Sequence, residues 1–169
     1  MDFAFVFPGQ GSQSLKMMDG LVNFPEVKKT FKLAKKVLGV DFLAMLQEPT
    51  PDNINQTTNT QPLMLASGMA AYLLWLEQGG KKPAVLAGHS LGEWTALVAS
   101  GVLTFSDALK LVKLRANEMQ EAVPEGEGAM AAVLGLDDEK VIAICAEVEK
   151  STGLVISTAS GRCFIVTCI

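Results

Sequence analysis

Basic runs, paired cysteines and long apolar stretches are all scarce in this chain of 169 residues. No run of Lys and Arg exceeds two residues, and 18 acidic against 14 basic side chains leave a net charge of −4. Phosphate backbones are bound by clustered cations, so no nucleic-acid partner is expected. No apolar run approaches the roughly 18 residues of a membrane span, so no membrane partner is expected either. The opening Met1-Asp2-Phe3-Ala4-Phe5-Val6-Phe7 lacks a basic segment and is too short for a signal-peptide core; it reads as a buried strand. Three cysteines, Cys145, Cys163 and Cys168, fall in no metal-ligand spacing. They point to reduced thiols in a cytoplasmic protein with no metal, and leave a Cys163–Cys168 disulfide open. Histidine occurs once, at His89.

The remainder is ordinary globular material, 49% apolar and 19% charged, enough to bury a sizeable core. The apolar run 3–7 ends at Pro8-Gly9 and fits a central parallel strand. Gly9-Gln10-Gly11-Ser12-Gln13 is a loop whose glycines let backbone approach a ligand closely. Apolar residues at 24, 27, 31, 34, 37 and 38 predict a helix over 24–38 stopped by Gly39. The stretch 48–59, rich in Pro, Asp, Asn and Thr, reads as loop. A helix is expected over 61–78, capped by Thr60, with Pro62 in its first turn. A short strand over 83–87 and a helix over 91–100 flank Ser90, and a further helix over 106–123 follows a Thr104/Asp107 capping pair. Pro124-Glu125-Gly126-Glu127-Gly128 breaks the pattern and marks the expected boundary between a core, 1–124, and a smaller unit, 129–169. A strand (129–134), a helix (138–150) and a strand (154–158) begin that smaller unit as the opening of an incomplete α+β domain. Alternating strands and helices around the serine predict a layered, parallel α/β core.

Gly88-His89-Ser90-Leu91-Gly92 fits G-x-S-x-G in the context that gives the motif meaning, with strand before and helix after. A sharp strand-to-helix turn lifts a serine hydroxyl out of the sheet, and flanking glycines relieve the crowding. The next N–H, at the positive end of the helix, then faces a developing oxyanion. The competing reading is a serine that merely caps the helix. His89 is a poor general base, because adjacent side chains at a strand end diverge while the base must reach the hydroxyl from across the site. A turn histidine that packs beside the serine fits better.

Helical phase over 106–123 groups Ala108, Leu111, Val112, Met119 and Ala122 on one stripe, with Arg115 in its midst. A guanidinium on a core-facing stripe must be paired, because burying it alone costs several kcal/mol. An internal carboxylate and a bound substrate carboxylate both satisfy that requirement at this stage.

Taken together, the segments Phe5-Val6-Phe7-Pro8-Gly9-Gln10-Gly11-Ser12-Gln13, Thr60-Gln61-Pro62, Ala87-Gly88-His89-Ser90-Leu91-Gly92-Glu93, Arg115, Met119-Gln120-Glu121 and Gly126 to Ala132 resemble one family. It is the malonyl-CoA:acyl-carrier-protein transacylases of fatty-acid biosynthesis, and the resemblance runs over residues 3–155. It implies a hydrolase-like α/β core with a ferredoxin-like insert. It also implies transfer of a malonyl group from malonyl-CoA to the phosphopantetheine thiol of acyl carrier protein, with no cofactor beyond the coenzyme A thioester itself. Ser90 matches the nucleophile, the backbone N–H groups of Gln10 and Leu91 the oxyanion hole, and Arg115 the receptor of the malonyl carboxylate. Gln61 matches a position close to the substrate.

The resemblance carries departures. The family's chain is about twice as long, and its catalytic histidine falls in the half without a counterpart here. The stretch 156–169 does not follow the family pattern and is expected to be an aberrant or truncated terminus. Impaired transfer is therefore expected, and a catalytically dead binding fragment is the alternative. A serine hydrolase or thioesterase sharing only the elbow is a third reading, which gives no purpose to Arg115 or to the Phe-Pro-Gly-Gln-Gly-Ser-Gln loop.

Overall fold

In the computed structural model the described residues are 2–122, 129–133, 135–158 and 164–168. The chain divides into two compact units, Met1–Glu118 and Met119–Ile169. The expected boundary at Pro124–Gly128 lies outside the described residues.

The first unit contains β1 (Ala4–Phe7), α1 (Pro25–Leu38), α2 (Phe42–Gln47), α3 (Pro51–Asn55), α4 (Thr57–Glu77), β2 (Val85–Gly88) and α5 (Leu91–Ala99), and most of α6 (Phe105–Glu121). β1 and β2 pair in parallel, with Phe7 opposite Gly88. Their carboxyl ends therefore stop at one level, where open α/β sheets bind their ligands. Among the described residues β1 has β2 as its one strand partner. Val6, on the face away from Phe7, is 71% exposed.

The core is built around α4. Leu63, Leu65, Ala66 and Ala70 are fully buried, and the apolar residues continue round the whole helix, the signature of a central helix rather than a surface one. Tyr72 sets its ring edge against Phe5 and Phe7, with centroids 5.5 and 6.0 Å away. α1 adds Val27, Phe31 and Ala34, and Gly39 closes it at φ 75°.

The loop expected over 48–59 is instead a short helix leading into α4. Thr50 and Asn53 form a reciprocal capping box, with Pro51 at the first helical position, so residues that look like loop composition nucleate a turn. Thr60 lies inside α4 rather than capping it. Its Oγ1 donates to the carbonyls of Ile54 and Gln56 at 2.6 and 3.0 Å, which locks the α3–α4 corner. Pro62 has no N–H and therefore leaves the Thr58 carbonyl without its helical donor. Lys113 Nζ takes that place, donating to Thr58 O at 3.0 Å. The Thr104/Asp107 pair does cap α6, with Asp107 N–H donating to Thr104 Oγ1 at 3.1 Å.

In the second unit, β3 (Ala129–Val133) and β4 (Ile156–Thr158) flank β5 (Phe164–Cys168), which runs antiparallel to both. α7 (Asp138–Thr152) links β3 to β4 and buries Val141 and Cys145 against Val133 and Ile156. This is the split β-α-β order with which a ferredoxin-like fold begins. Cys145 is a buried free thiol. Cys163 and the side chain of Cys168 lie outside the described residues. Among the described residues, no helix is long and apolar enough to cross a membrane, and no cluster of His, Cys, Asp and Glu could hold a metal.

Candidate active site

Ser90 stands at the end of β2 with φ 52° and ψ −109°, the one non-glycine residue of positive φ among the described residues. A conformation that side chains avoid costs roughly 1–3 kcal/mol and persists only where its surroundings enforce it. The glycines supply that enforcement by allowing backbones to touch. A Cβ on Gly88 would meet the Gly92 carbonyl carbon at 2.1 Å. One on Gly92 would meet Phe7 O at 2.1 Å, and one on Gly9 would meet His89 O at 2.9 Å. The G-x-S-x-G pattern is thus a packing requirement, since the start of α5, the end of β1 and the turn share one tight space. α5 then begins at Leu91 with its amino end beneath the serine. The Leu91 and Gln10 N–H groups have no partner among the described residues.

Around the hydroxyl runs a relay of side chains. Arg115 Nη2 donates to Ser90 Oγ at 2.9 Å, and its Nη1 donates to Gln61 Oε1 at 2.6 Å. Gln61 Nε2 donates to Gln10 Oε1 at 3.2 Å, and Gln10 Nε2 donates to Thr57 Oγ1 at 3.2 Å. Every donor points away from the guanidinium, so the charge polarises the amides in one sense. Gln61 is fully buried, with its oxygen facing the cation and its nitrogen facing an acceptor. The structure therefore brings together Ser90, Arg115, Gln61 and Gln10, four positions singled out from sequence, and places Leu91 next to the serine.

The stripe expected to carry Arg115 is corrected by about one residue of phase. The buried face of α6 is Ala108, Leu109, Val112 and Ala116, while Leu111 and Met119 are exposed at 42% and 39%. Arg115 sits on the border of this face, half-buried and directed at the serine. Desolvation draws its pKa below the ordinary guanidinium range. Among the described residues the ion pairs join Lys35 to Asp41, Lys110 to Asp107 and Lys140 to Asp137, and none involves Arg115. Its hydrogen-bond partners are neutral oxygens, which leaves the charge without a carboxylate among the described residues beside the Ser90 hydroxyl. His89 contributes its carbonyl to the turn, accepting from Gly92 N–H at 2.9 Å. A groove of about 270 Å³ between β2 and α5 is lined by Leu86, Ala87, Gly88, Glu93, Ala96, Leu97 and Ser100, and includes none of the relay residues.

Sequence reasoning missed Thr57 and Asn55, and placed Gln13 in the loop without a role. Gln13 Oε1 accepts from Gly11 N–H at 2.8 Å, and its Nε2 donates to Asn55 Oδ1 at 2.9 Å. The Gln13–Asn55 and Gln10–Thr57 pairs join residues 42 and 47 positions apart, and periodicity carries no signal for such pairs.

A parallel strand pair, a strained serine at a strand-to-helix turn and free N–H groups at the carboxyl ends of the strands define an α/β protein built around a G-x-S-x-G elbow. The acyl transferase domain family matches residues 4–159, and the chain belongs to it. It is 51% identical over 146 residues to the malonyl CoA-acyl carrier protein transacylase of Escherichia coli (strain K12), covering 86% of this chain and 47% of that protein. The acyl-carrier-protein S-malonyltransferase of Burkholderia pseudomallei 1710b superposes with a TM-score of 0.90 at 46% identity, covering 99% of this chain and 55% of that one. A malonyl-transacylase solved in complex with a type II polyketide acyl-carrier protein gives the same TM-score of 0.90 at 45% identity, with 99% and 55% covered. The chain spans about half the length of these relatives.

Proposed function

We propose that this chain carries the nucleophile, the oxyanion donors and the carboxylate receptor of a malonyl-CoA:acyl-carrier-protein transacylase. The observation that carries the reading is the uncompensated Arg115 guanidinium, held 2.9 Å from Ser90 Oγ by the buried Gln61. In the reaction, Ser90 Oγ forms a bond to the thioester carbonyl carbon while the carbonyl oxygen gains charge before the Gln10 and Leu91 N–H groups. The C–S bond then breaks, coenzyme A leaves as its thiol, and malonate remains as an ester on Ser90. The carrier's phosphopantetheine thiol attacks that ester and regenerates the hydroxyl. The malonyl carboxylate lies three bonds from Oγ, within reach of a cation already resting on that oxygen. Bidentate pairing there favours malonyl over acyl groups without a free carboxylate.

The partners in this reading are malonyl-CoA and acyl carrier protein, in the cytoplasm, with no cofactor besides the thioester substrate. Residues 1–124 would form the acyltransferase core and 129–169 the small domain. The proton of Ser90 needs a base. His89, the sole histidine, immediately precedes the nucleophile in the chain. Transfer by this chain alone is therefore expected to be impaired, since loss of a base from such a pair costs several orders of magnitude. Incubation with radiolabelled malonyl-CoA, with and without acyl carrier protein and beside a Ser90→Ala variant, tests the proposal. Slow Ser90-dependent label that moves to the carrier is expected. Release of free malonate would identify a hydrolase, and absence of Ser90-dependent label would leave a binding fragment.

A further inference from the structure

The Gly9–Gln13 loop carries two glutamine side chains, and each is held at both ends. Gln13 accepts from Gly11 N–H at 2.8 Å and donates to Asn55 at 2.9 Å. Gln10 accepts from Gln61 and donates to Thr57, both at 3.2 Å. Asn55 and Thr57, 42 and 47 positions along the chain from their partners, are the last residue of α3 and the first of α4. The corner they occupy is itself firm. The capping box fixes α3, Asn59 Nδ2 donates to Asn53 O at 3.2 Å, Thr60 bonds Ile54 O, and Ile54 is buried.

A loop with Gly11 at φ 97° has no regular ladder to define it. Among the described residues its internal backbone hydrogen bond runs from Ser12 N–H to Gly9 O at a long 3.3 Å. Three long-range side-chain bonds, to Asn55, Thr57 and Gln61, then fix where the Gln10 N–H points, and the first two come from the α3–α4 corner. We infer that Asn55 and Thr57 are positioning residues, a two-point latch that holds the Gly9–Gln13 loop, and with it the Gln10 N–H, against the serine turn. Neither touches Ser90. The catalytic consequence rests on the acyl-transfer reading above, whereas the latch itself does not.

Complementary substitutions separate the bond from the side chain's bulk. Asn55→Ala removes the acceptor for Gln13, while Asn55→Asp keeps it. Thr57→Val removes the acceptor for Gln10 at equal size, while Thr57→Ser keeps it. In the full chain, hydrogen exchange at Gly11 N–H is expected to quicken about fivefold in Asn55→Ala and Thr57→Val. The Asn55→Asp and Thr57→Ser variants should stay near wild type, and α4 amides should be unchanged in all four. At saturating malonyl-CoA, the maximal rate of Ser90 labelling should fall roughly tenfold in Thr57→Val, with half-saturation within about twofold, because a misaimed oxyanion donor weakens the transition state rather than binding. Unchanged Gly11 exchange in both acceptor-removing variants overturns the latch. Quickened exchange with an unslowed labelling rate overturns the positioning role. A wild-type chain that takes no label counts against the acyl-transfer reading, and the exchange data alone then decide the latch.

Discussion

Replacing Arg115 by alanine removes a cation that donates to Ser90 Oγ at 2.9 Å and to Gln61 Oε1 at 2.6 Å and has no ion pair among the described residues. The folded protein loses a donor to the buried Gln61 Oε1, about 1 kcal/mol of stability, while no carboxylate is left behind and Gln61 keeps its donor bond to Gln10. That cost is common to both acyl groups, and the selective loss falls on the malonyl arm. A hydrogen-bonded pair with a charged partner contributes about 1.5–3 kcal/mol, and Arg115 is only half-buried, so the lower part of that range applies. A loss near 2 kcal/mol corresponds to about thirtyfold in relative rate or affinity. The assay compares initial rates of Ser90 labelling by malonyl-CoA and by acetyl-CoA. The malonyl rate is expected to lead in wild type, and in Arg115→Ala the ratio should drop by about thirtyfold, mostly through the malonyl arm. Arg115→Lys should recover only part, since an ammonium cannot hold Gln61 and a carboxylate in the same planar fork. An equal fall in both arms would show that Arg115 only supports the serine, and an unchanged ratio would refute carboxylate recognition.

Gly92→Ala places a methyl 2.1 Å from Phe7 O, a backbone atom with little room to retreat. A cost of about 3 kcal/mol and a melting point lower by roughly 6–12 °C are expected, and a shift near zero would contradict the tight elbow. Lys113→Met orphans the Thr58 carbonyl that Pro62 cannot serve, for a loss of about 1 kcal/mol. The same change in a Pro62→Ala background, where residue 62 has an N–H to donate, should cost much less. Additive losses in that double-mutant cycle, read by urea unfolding, would sink this account of Lys113. The Asp41 carboxyl is held below its ordinary 3.8 by the hydrogen bond from Lys35 and then by the Ala44 N–H. A depressed carboxyl stabilises the fold above its unfolded pKa and stops doing so as pH falls through its folded one. Asp41→Asn should therefore flatten the acid limb of stability between about pH 5 and pH 2, and an unaltered limb would count against the pairing.

The elbow was legible because its physics is local. An apolar run, two glycines and a helix start at fixed spacing leave few other structures, and the contacts of Gly88 and Gly92 show the reason. The helix over 61–78 was legible in its body, but the short α3 before it was not, because Thr50-Pro51-Asp52-Asn53 reads equally as a turn and as a capping box, and the fold selects the latter. The α6 stripe slipped because Leu111 and Met119 are apolar yet exposed, so composition mislaid the phase. The relay of Thr57, Gln10, Gln61, Arg115 and Ser90 joins residues tens of positions apart. Periodicity carries no information about such pairs. Gln10 and Gln61 took their roles from family resemblance, Arg115 was singled out by helical phase, and Thr57 did not enter at all.

The claim that Ser90 receives a malonyl group is tested most directly by intact-mass analysis and peptide mapping of the full chain after exposure to malonyl-CoA. The account predicts a single malonyl adduct, mapped to Ser90, absent from Ser90→Ala and reduced in Arg115→Ala. An adduct on another residue, or one that persists without Ser90, would contradict it.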